Sequence, residues 1–118
     1  PYIADHWYVH IVTKSNYGPL LESGVRLFEY KPGFIHSKTI ISDDEHGVVG
    51  SINMDYRSFH LHYENAVWIC KSEVLTDIKA DMDYIFEVSK EITYDEWSKS
   101  PIIARLAGSV LRLFAVLM

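Results

Sequence analysis

His36 and Lys38, then Asp43, then Gly50-Ser51-Ile52-Asn53 form the pattern H-x-K-x4-D-x6-G-S-x-N across eighteen positions. An imidazole is a competent nucleophile or proton carrier near neutral pH. An ammonium, a hydroxyl and a carboxamide are donors suited to phosphoryl oxygens as charge builds on them. Together they are the parts for attack at a phosphorus centre, with lysine supplying the positive charge. The sequence around them is of β type. Phe34–Ser42 and Val48–Ser51 are rich in Ile, Val and Thr, and Asp43–Gly47 supplies polar turn residues between them. Side chains alternate along a strand, so His36 and Lys38 share a face, and Ser51 and Asn53 share a parity. Singly, each residue is ordinary: a strand His or Lys is usually a partly exposed side chain, and G-S-x-N is a common turn. The fixed offsets of six residue types set the pattern apart.

The pattern resembles the HKD signature of the phospholipase D superfamily and matches it at every position. The flanking runs Tyr30-Lys31-Pro32-Gly33-Phe34-Ile35 and Asn53-Met54-Asp55-Tyr56-Arg57-Ser58-Phe59 resemble the bacterial cardiolipin synthases. From about Gly18 onward the chain is similar to the last part of such an enzyme. The resemblance implies an α/β fold: a phospholipase D-like half-domain with a mixed β-sheet flanked by helices. Residues 1–118 would form one such domain, the second-motif half of a longer two-motif enzyme. The implied reaction is phosphatidyl transfer on a phosphatidylglycerol-type phosphodiester through a phosphohistidine. His36 would be the nucleophile or the matching general acid, and Lys38, Ser51 and Asn53 would hold the phosphate. Asp43 and Gly50 would be structural, with Asp43 capping the turn. Glu64, thirteen residues past Ser51, would accept a hydrogen bond from His36 Nδ1 and fix its tautomer. No metal or cofactor is called for.

The implied partners are a phospholipid substrate, the first motif half or a second copy of this chain, and a membrane reached through the full-length protein. The parent would work at the bacterial cell membrane with its catalytic part in the cytoplasm, this stretch being soluble by itself. Three alternatives stand beside this: a phospholipase D hydrolase, a one-motif homodimeric phosphodiesterase or nuclease, and an isolated half-domain that catalyses nothing.

The rest of the chain bounds these readings. Its 118 residues, 48% hydrophobic and 23% charged, suit a compact globular unit. A formal charge of −5 with no Lys/Arg block argues against a sequence-independent grip on nucleic acid. Cys70 stands alone in an apolar stretch and is expected to be a buried, inert thiol. No run of eighteen apolar residues offers a membrane span, and the start at Pro1 suggests a piece of a longer protein. His60, His62 and Glu64 alternate, a rival two-His-one-carboxylate metal constellation. His6, His10 and His46 have no spacing that needs explaining.

The elements that must position the motif follow from pattern. Asp5–Lys14 is expected to be a helix by analogy with the family, although Tyr8–Val12 has strand propensity. A short helix capped by Ser15 or Asn16 should stop at Gly24. Val25–Tyr30 alternates as a strand, Asp55–Leu61 reads as a helical turn, and Tyr63–Cys70 as an apolar strand. Leu75, Ile78, Met82 and Ile85 mark an amphipathic helix behind Ser72 and running to Ser89. Ile92–Ser100 is polar, with Thr93 and Glu96 spaced as a capping box. Pro101 opens an apolar helix from Ile102 to about Val116, fit for a core, an interface or a membrane surface. About four strands in one sheet are expected.

Overall fold

The computed structural model describes residues 1–3, 7–101 and 110. The chain divides into two compact units, residues 1–34 with 88–118, and residues 35–87. The expected helix from Ile102 lies outside the described residues but for Val110.

The first unit holds helices α1 (Trp7–Ser15) and α2 (Tyr17–Glu22), strand β1 (Leu27–Tyr30), and, from the far end of the chain, strand β5 (Ser89–Ile92) and helix α5 (Tyr94–Ser98). Asn16 precedes α2 without a side-chain cap. Its amide and the Ser15 hydroxyl turn back to the Val12 carbonyl at the end of α1. Pro19 falls in the first turn of α2, where a missing N–H costs nothing. Gly24, with φ +83°, ends that helix. The Gly24 N–H reaches the Leu21 carbonyl and the Val25 N–H reaches Leu20, the paired bonds of a Schellman motif. α5 carries the expected capping box: the Glu96 N–H donates to Thr93 Oγ1 (3.3 Å) and the Thr93 N–H to Glu96 Oε2 (3.4 Å).

β1 and β5 form an antiparallel pair, Leu27 opposite Ile92 and Tyr30 opposite Ser89. Pattern alone ran the preceding helix to Ser89 and left the rest as polar chain. A four-residue strand reading Ser-Lys-Glu-Ile has little apolar alternation to show. Its pairing with β1 is reinforced just outside the ladder, where Arg26 forks onto Glu91 at 2.7 and 2.9 Å.

The second unit is a three-stranded antiparallel sheet with a helix on one face. Strand β2 (Lys38–Ser42) pairs with β3 (His46–Gly50), which pairs with β4 (Ala66–Cys70). Helix α3 (Tyr56–His60) lies in the β3–β4 connection, and α4 (Val74–Glu87) follows β4. The α/β class and helix-flanked sheets are as expected, but the strands among the described residues number five and divide between two antiparallel sheets.

The β2–β3 hairpin turns on Asp43 and Asp44, both left-handed at φ 55° and 56°, closed by the Glu45 N–H on the Ser42 carbonyl. Two positive φ values are what a type I′ turn demands, and Asp tolerates them better than most residues. Asp43 accepts from the Ser42 hydroxyl (2.9 Å) and Asp44 pairs with Lys79 (2.6 Å). The turn is tighter than the expected Asp43–Gly47, so β3 begins at His46.

Gly47 shows which face α4 covers: a Cβ there would meet Leu75 Cδ2 at 2.6 Å. Leu75 is the one buried apolar side chain among the described residues. Thr39 and Ile41 share that face by register, and Ile78, Met82 and Ile85 line a pocket with Ile35, Ser37 and Thr39. The opposite face carries Lys38, Ile40, Val48, Trp68 and Cys70. Here the expectation of a buried cysteine fails. Cys70 is exposed, because β4 is an edge strand of its sheet and, among the described residues of its unit, the helix α4 covers the other face.

Candidate functional site

The motif residues gather where the sheet of the second unit ends. Lys38 opens β2 opposite Gly50, the last residue of β3, and Gly50 stands opposite Ala66, the first of β4. His36 therefore lies just beyond the ladder, outside any regular element, because its partner strand has already turned away at Ser51. Gly50 allows that turn. A Cβ on it would lie 2.3 Å from the Asn65 carbonyl oxygen and 2.6 Å from Ala66 Cα, backbone atoms that cannot step aside. His36, Lys38, Gly50 and Ser51 line a cleft of about 440 Å³ with Val49, Asn65, Ala66 and Val67.

Within it, Lys38 Nζ donates to the His36 carbonyl oxygen at 2.7 Å. His36 is exposed and Lys38 half-buried. The lysine therefore rests on a neutral acceptor that a phosphate oxygen can replace, the stronger bond being charge-assisted on both sides.

Ser51 is the hinge of the site. Its N–H donates to the Asn65 carbonyl (2.9 Å), its Oγ accepts from the Asn65 N–H (3.0 Å), and its hydroxyl proton goes to Glu64 Oε2. These bonds replace sheet pairing, so β4 starts at Ala66 and not at the expected Tyr63. Glu64, half-buried just before the strand, also takes a hydrogen bond from Ser58 and has His62 Nδ1 3.9 Å away. The Ser51 bond first, then Ser58 and the nearby His62, hold its carboxyl below the usual carboxylate value.

Ser58 was not singled out from sequence, and it is the buried side chain that joins the rest. Its Oγ accepts from the Asn53 N–H (3.2 Å), and its own N–H donates to Asp55 Oδ1 (2.7 Å), the N-cap of α3. The Asp55-x-x-Ser58 spacing is a cap spacing, the one signal in the sequence that could have placed it. Asn53 and Glu64 thus connect to the cleft through Ser58 and Ser51 and do not line it. Asp43 is at the other end of β2, in the turn. Of the rival metal constellation, His60 is on α3 with its ring against Tyr56 (4.6 Å). Among the described residues no group of three His, Cys, Asp or Glu side chains is placed to hold a metal ion.

Comparison with known proteins places the chain. A family model described as "Cardiolipin synthase, PLD-like domain" matches residues 1–86. The chain is 38% identical over 106 residues to cardiolipin synthase 1 of Bacillus anthracis, covering 90% of this chain and 21% of that protein. It is 37% identical over 114 residues to the cardiolipin synthase of Alkalihalophilus pseudofirmus, covering 97% and 23%. An uncharacterized protein of Streptococcus mutans is 38% identical over 118 residues, 100% of this chain and 26% of its own length. The chain thus spans about a quarter of the curated relatives it matches. No solved structure matches it.

Proposed function

This chain belongs to the cardiolipin synthase family of phospholipase D-like domains, and we propose that it supplies one catalytic half of a phosphatidyltransferase acting on phosphatidylglycerol-type phosphodiesters. The observation that carries the reading is the cleft where His36, Lys38 and Ser51 meet at the end of the sheet. In the first step a neutral His36 nitrogen bonds to phosphorus as the P–O bond to the leaving alcohol breaks. A histidine of the other half, or of a second copy, gives that oxygen its proton. In the second step the same base takes the proton of an acceptor hydroxyl, whose oxygen displaces the imidazole. The reversed assignment, with His36 as acid, uses the same atoms.

Lys38 supplies the charge for the non-bridging oxygens, and Asn53, tied to Ser58 through its backbone N–H, would act on the phosphate only after moving toward the cleft. Ser51 reaches a phosphate only by giving up Glu64, so its first task is to hold Glu64 and Asn65 in place. Glu64 serves the reaction by ordering this end of the sheet and by orienting the His36 imidazole. Two histidines are needed on opposite sides of one phosphorus. The 118-residue stretch alone brings one motif histidine, and is expected to be silent unless two copies pair.

The test is phosphatidylglycerol turnover by the full-length enzyme that contains this sequence. His36→Ala should abolish it, and Lys38→Ala should lower kcat by about 10²–10³-fold, the usual cost of one oxyanion donor. Cardiolipin as product supports transfer, and phosphatidic acid in its place means that water is the acceptor. Near-normal turnover by folded His36→Ala enzyme would sink the mechanism.

A further inference from the structure

We propose that Ser58 is a positioning residue for the reaction: its buried hydroxyl ties the chain that follows β3, at Asn53, to the chain that enters β4, at Glu64, and so fixes the carboxylate that orients His36. This role rests on the transfer reading above, in which Glu64 serves His36. Of the five residues of α3, Tyr56-Arg57-Ser58-Phe59-His60, the buried one is the serine, 7% exposed, while Tyr56 and Phe59 stand 47% and 57% exposed. Burial of a ring would remove more apolar surface from water than burial of a serine, and an unpaired buried hydroxyl costs free energy. Packing by itself therefore does not select this orientation. Hydrogen bonding does. The Asn53 N–H can only donate, so Ser58 Oγ accepts there, at 3.2 Å. The hydroxyl proton is left for Glu64, whose ionised carboxylate can only accept. The Ser58 N–H, on Asp55 Oδ1 at 2.7 Å, closes the first turn of α3 and holds the side chain to this bearing.

The same carboxylate takes the Ser51 hydroxyl, and Ser51 is in turn closed onto Asn65. Ser51 thus grips Glu64 from the end of β3, and Ser58 grips it from α3. A carboxylate held by one hydrogen bond can swing about it. A second donor from another element fixes its direction, which is how a supporting shell keeps a group within the narrow angular range that chemistry needs. Asn53 is drawn into the same clamp through its backbone, so one hydroxyl sets both the end of the motif and the carboxylate. Ser58 is not among the residues that line the cleft and touches no substrate there. Its loss should fall on kcat and leave KM nearly as it was.

The experiment is steady-state phosphatidylglycerol turnover by the full-length enzyme that contains this sequence, with thermal melts to confirm that each variant is folded. Ser58→Ala should lower kcat about tenfold or more, the scale of one hydrogen bond to a charged group, with KM within about twofold. Ser58→Cys fills the same space but hydrogen-bonds weakly, so it should be slowed in the same way. Ser58→Thr keeps the hydroxyl and should recover most of the loss. Residues that act as one unit are not additive, so in a Glu64→Gln enzyme the further change Ser58→Ala should cost about threefold or less. Thr93→Ala, which removes the cap of α5, should lower the melting temperature and leave kcat as it was, separating position from stability. Inactive His36→Ala beside normal Ser58→Ala and Ser58→Cys would overturn the role of Ser58 and leave the transfer reading standing. Turnover by folded His36→Ala would sink that reading and this role with it. A loss in KM, a Ser58→Thr enzyme as slow as Ser58→Ala, an undiminished loss in the Glu64→Gln enzyme, or an equal loss in Thr93→Ala would each overturn the role as well.

Discussion

Two carboxylates, one in each compact unit, are handled in opposite ways. Glu29 lies on β1 and is 3% exposed. Its Oε1 takes the Tyr17 hydroxyl at 3.2 Å and faces Lys14 Nζ at 3.4 Å. Burial first, then the adjacent Glu29 charge and hydrogen bond, push the Tyr17 phenol far above its usual value. A cavity of about 390 Å³ borders the three, walled by Trp97, Ile92 and Ile11 among others. Glu64, by contrast, stands at the margin of a sheet, within reach of solvent, held by two serines. A charge removed from water must be matched where it is buried, which fixes its neighbours. The Glu64 carboxylate, at the open margin, is held instead by small hydroxyls. The first carboxylate organises a buried cluster and the second organises the end of a sheet.

The comparison breaks first, and most heavily, at Glu29. Glu29→Ala leaves the Tyr17 hydroxyl without its acceptor in a mostly buried place, a loss of about 1–3 kcal/mol. Lys14 is half exposed and rehydrates, so its share is small. Glu29→Gln keeps an acceptor and should cost less than Glu29→Ala. Denaturant melts of the two variants check the order, and equal stability of Glu29→Ala and the parent would make the cluster ornamental. A sharper probe is the phenolate absorbance of the chain. The raised Tyr17 pKa means that its stabilising share is complete below the unfolded phenol value of 10.0 and is lost as pH rises past it. One of the eight tyrosines should therefore resist ionisation until the alkaline transition unfolds the chain. Tyr17→Phe should remove that late component, and Glu29→Gln should move it to lower pH.

The same contrast explains what the sequence could and could not disclose. The Thr93–Glu96 box and the Leu75–Ile85 spacing are local, and each stands where its pattern placed it. Burial of Glu29 depends on Tyr17, twelve residues earlier and on another element, so alternation along Val25–Tyr30 marks a strand but not a buried charge on it. β5 depends on β1 more than fifty residues away, with three polar residues out of four. Exposure of Cys70 depends on β4 being an edge, and an apolar run reads alike at an edge or in a centre. Ser58 acts through a cap that closes only when Asp55 starts the helix. For Glu29 and β5 the missing information is a partner far along the chain.

The smallest effect belongs to Glu64, and its sign is fixed by the direction of its shift. Its carboxyl lies below the ordinary value of 4.5, chiefly through the Ser51 hydroxyl and next through Ser58. A depressed folded value means that the contribution is complete above about pH 4.5 and disappears as pH falls through the folded value. Protonation removes the charge that strengthens both serine hydrogen bonds. Glu64→Gln should therefore flatten the acid limb of the stability profile, because the variant already lacks at neutral pH the charge-dependent share that the parent loses on acidification. Ser58→Ala should flatten it less, since it removes the second cause of the shift and not the first. Thermal melts taken from neutral pH down through the acid range decide the matter. An acid limb as steep in Glu64→Gln as in the parent would mean that Glu64 is not held by these serines in solution, and the distinction between the two carboxylates would collapse to one of depth alone.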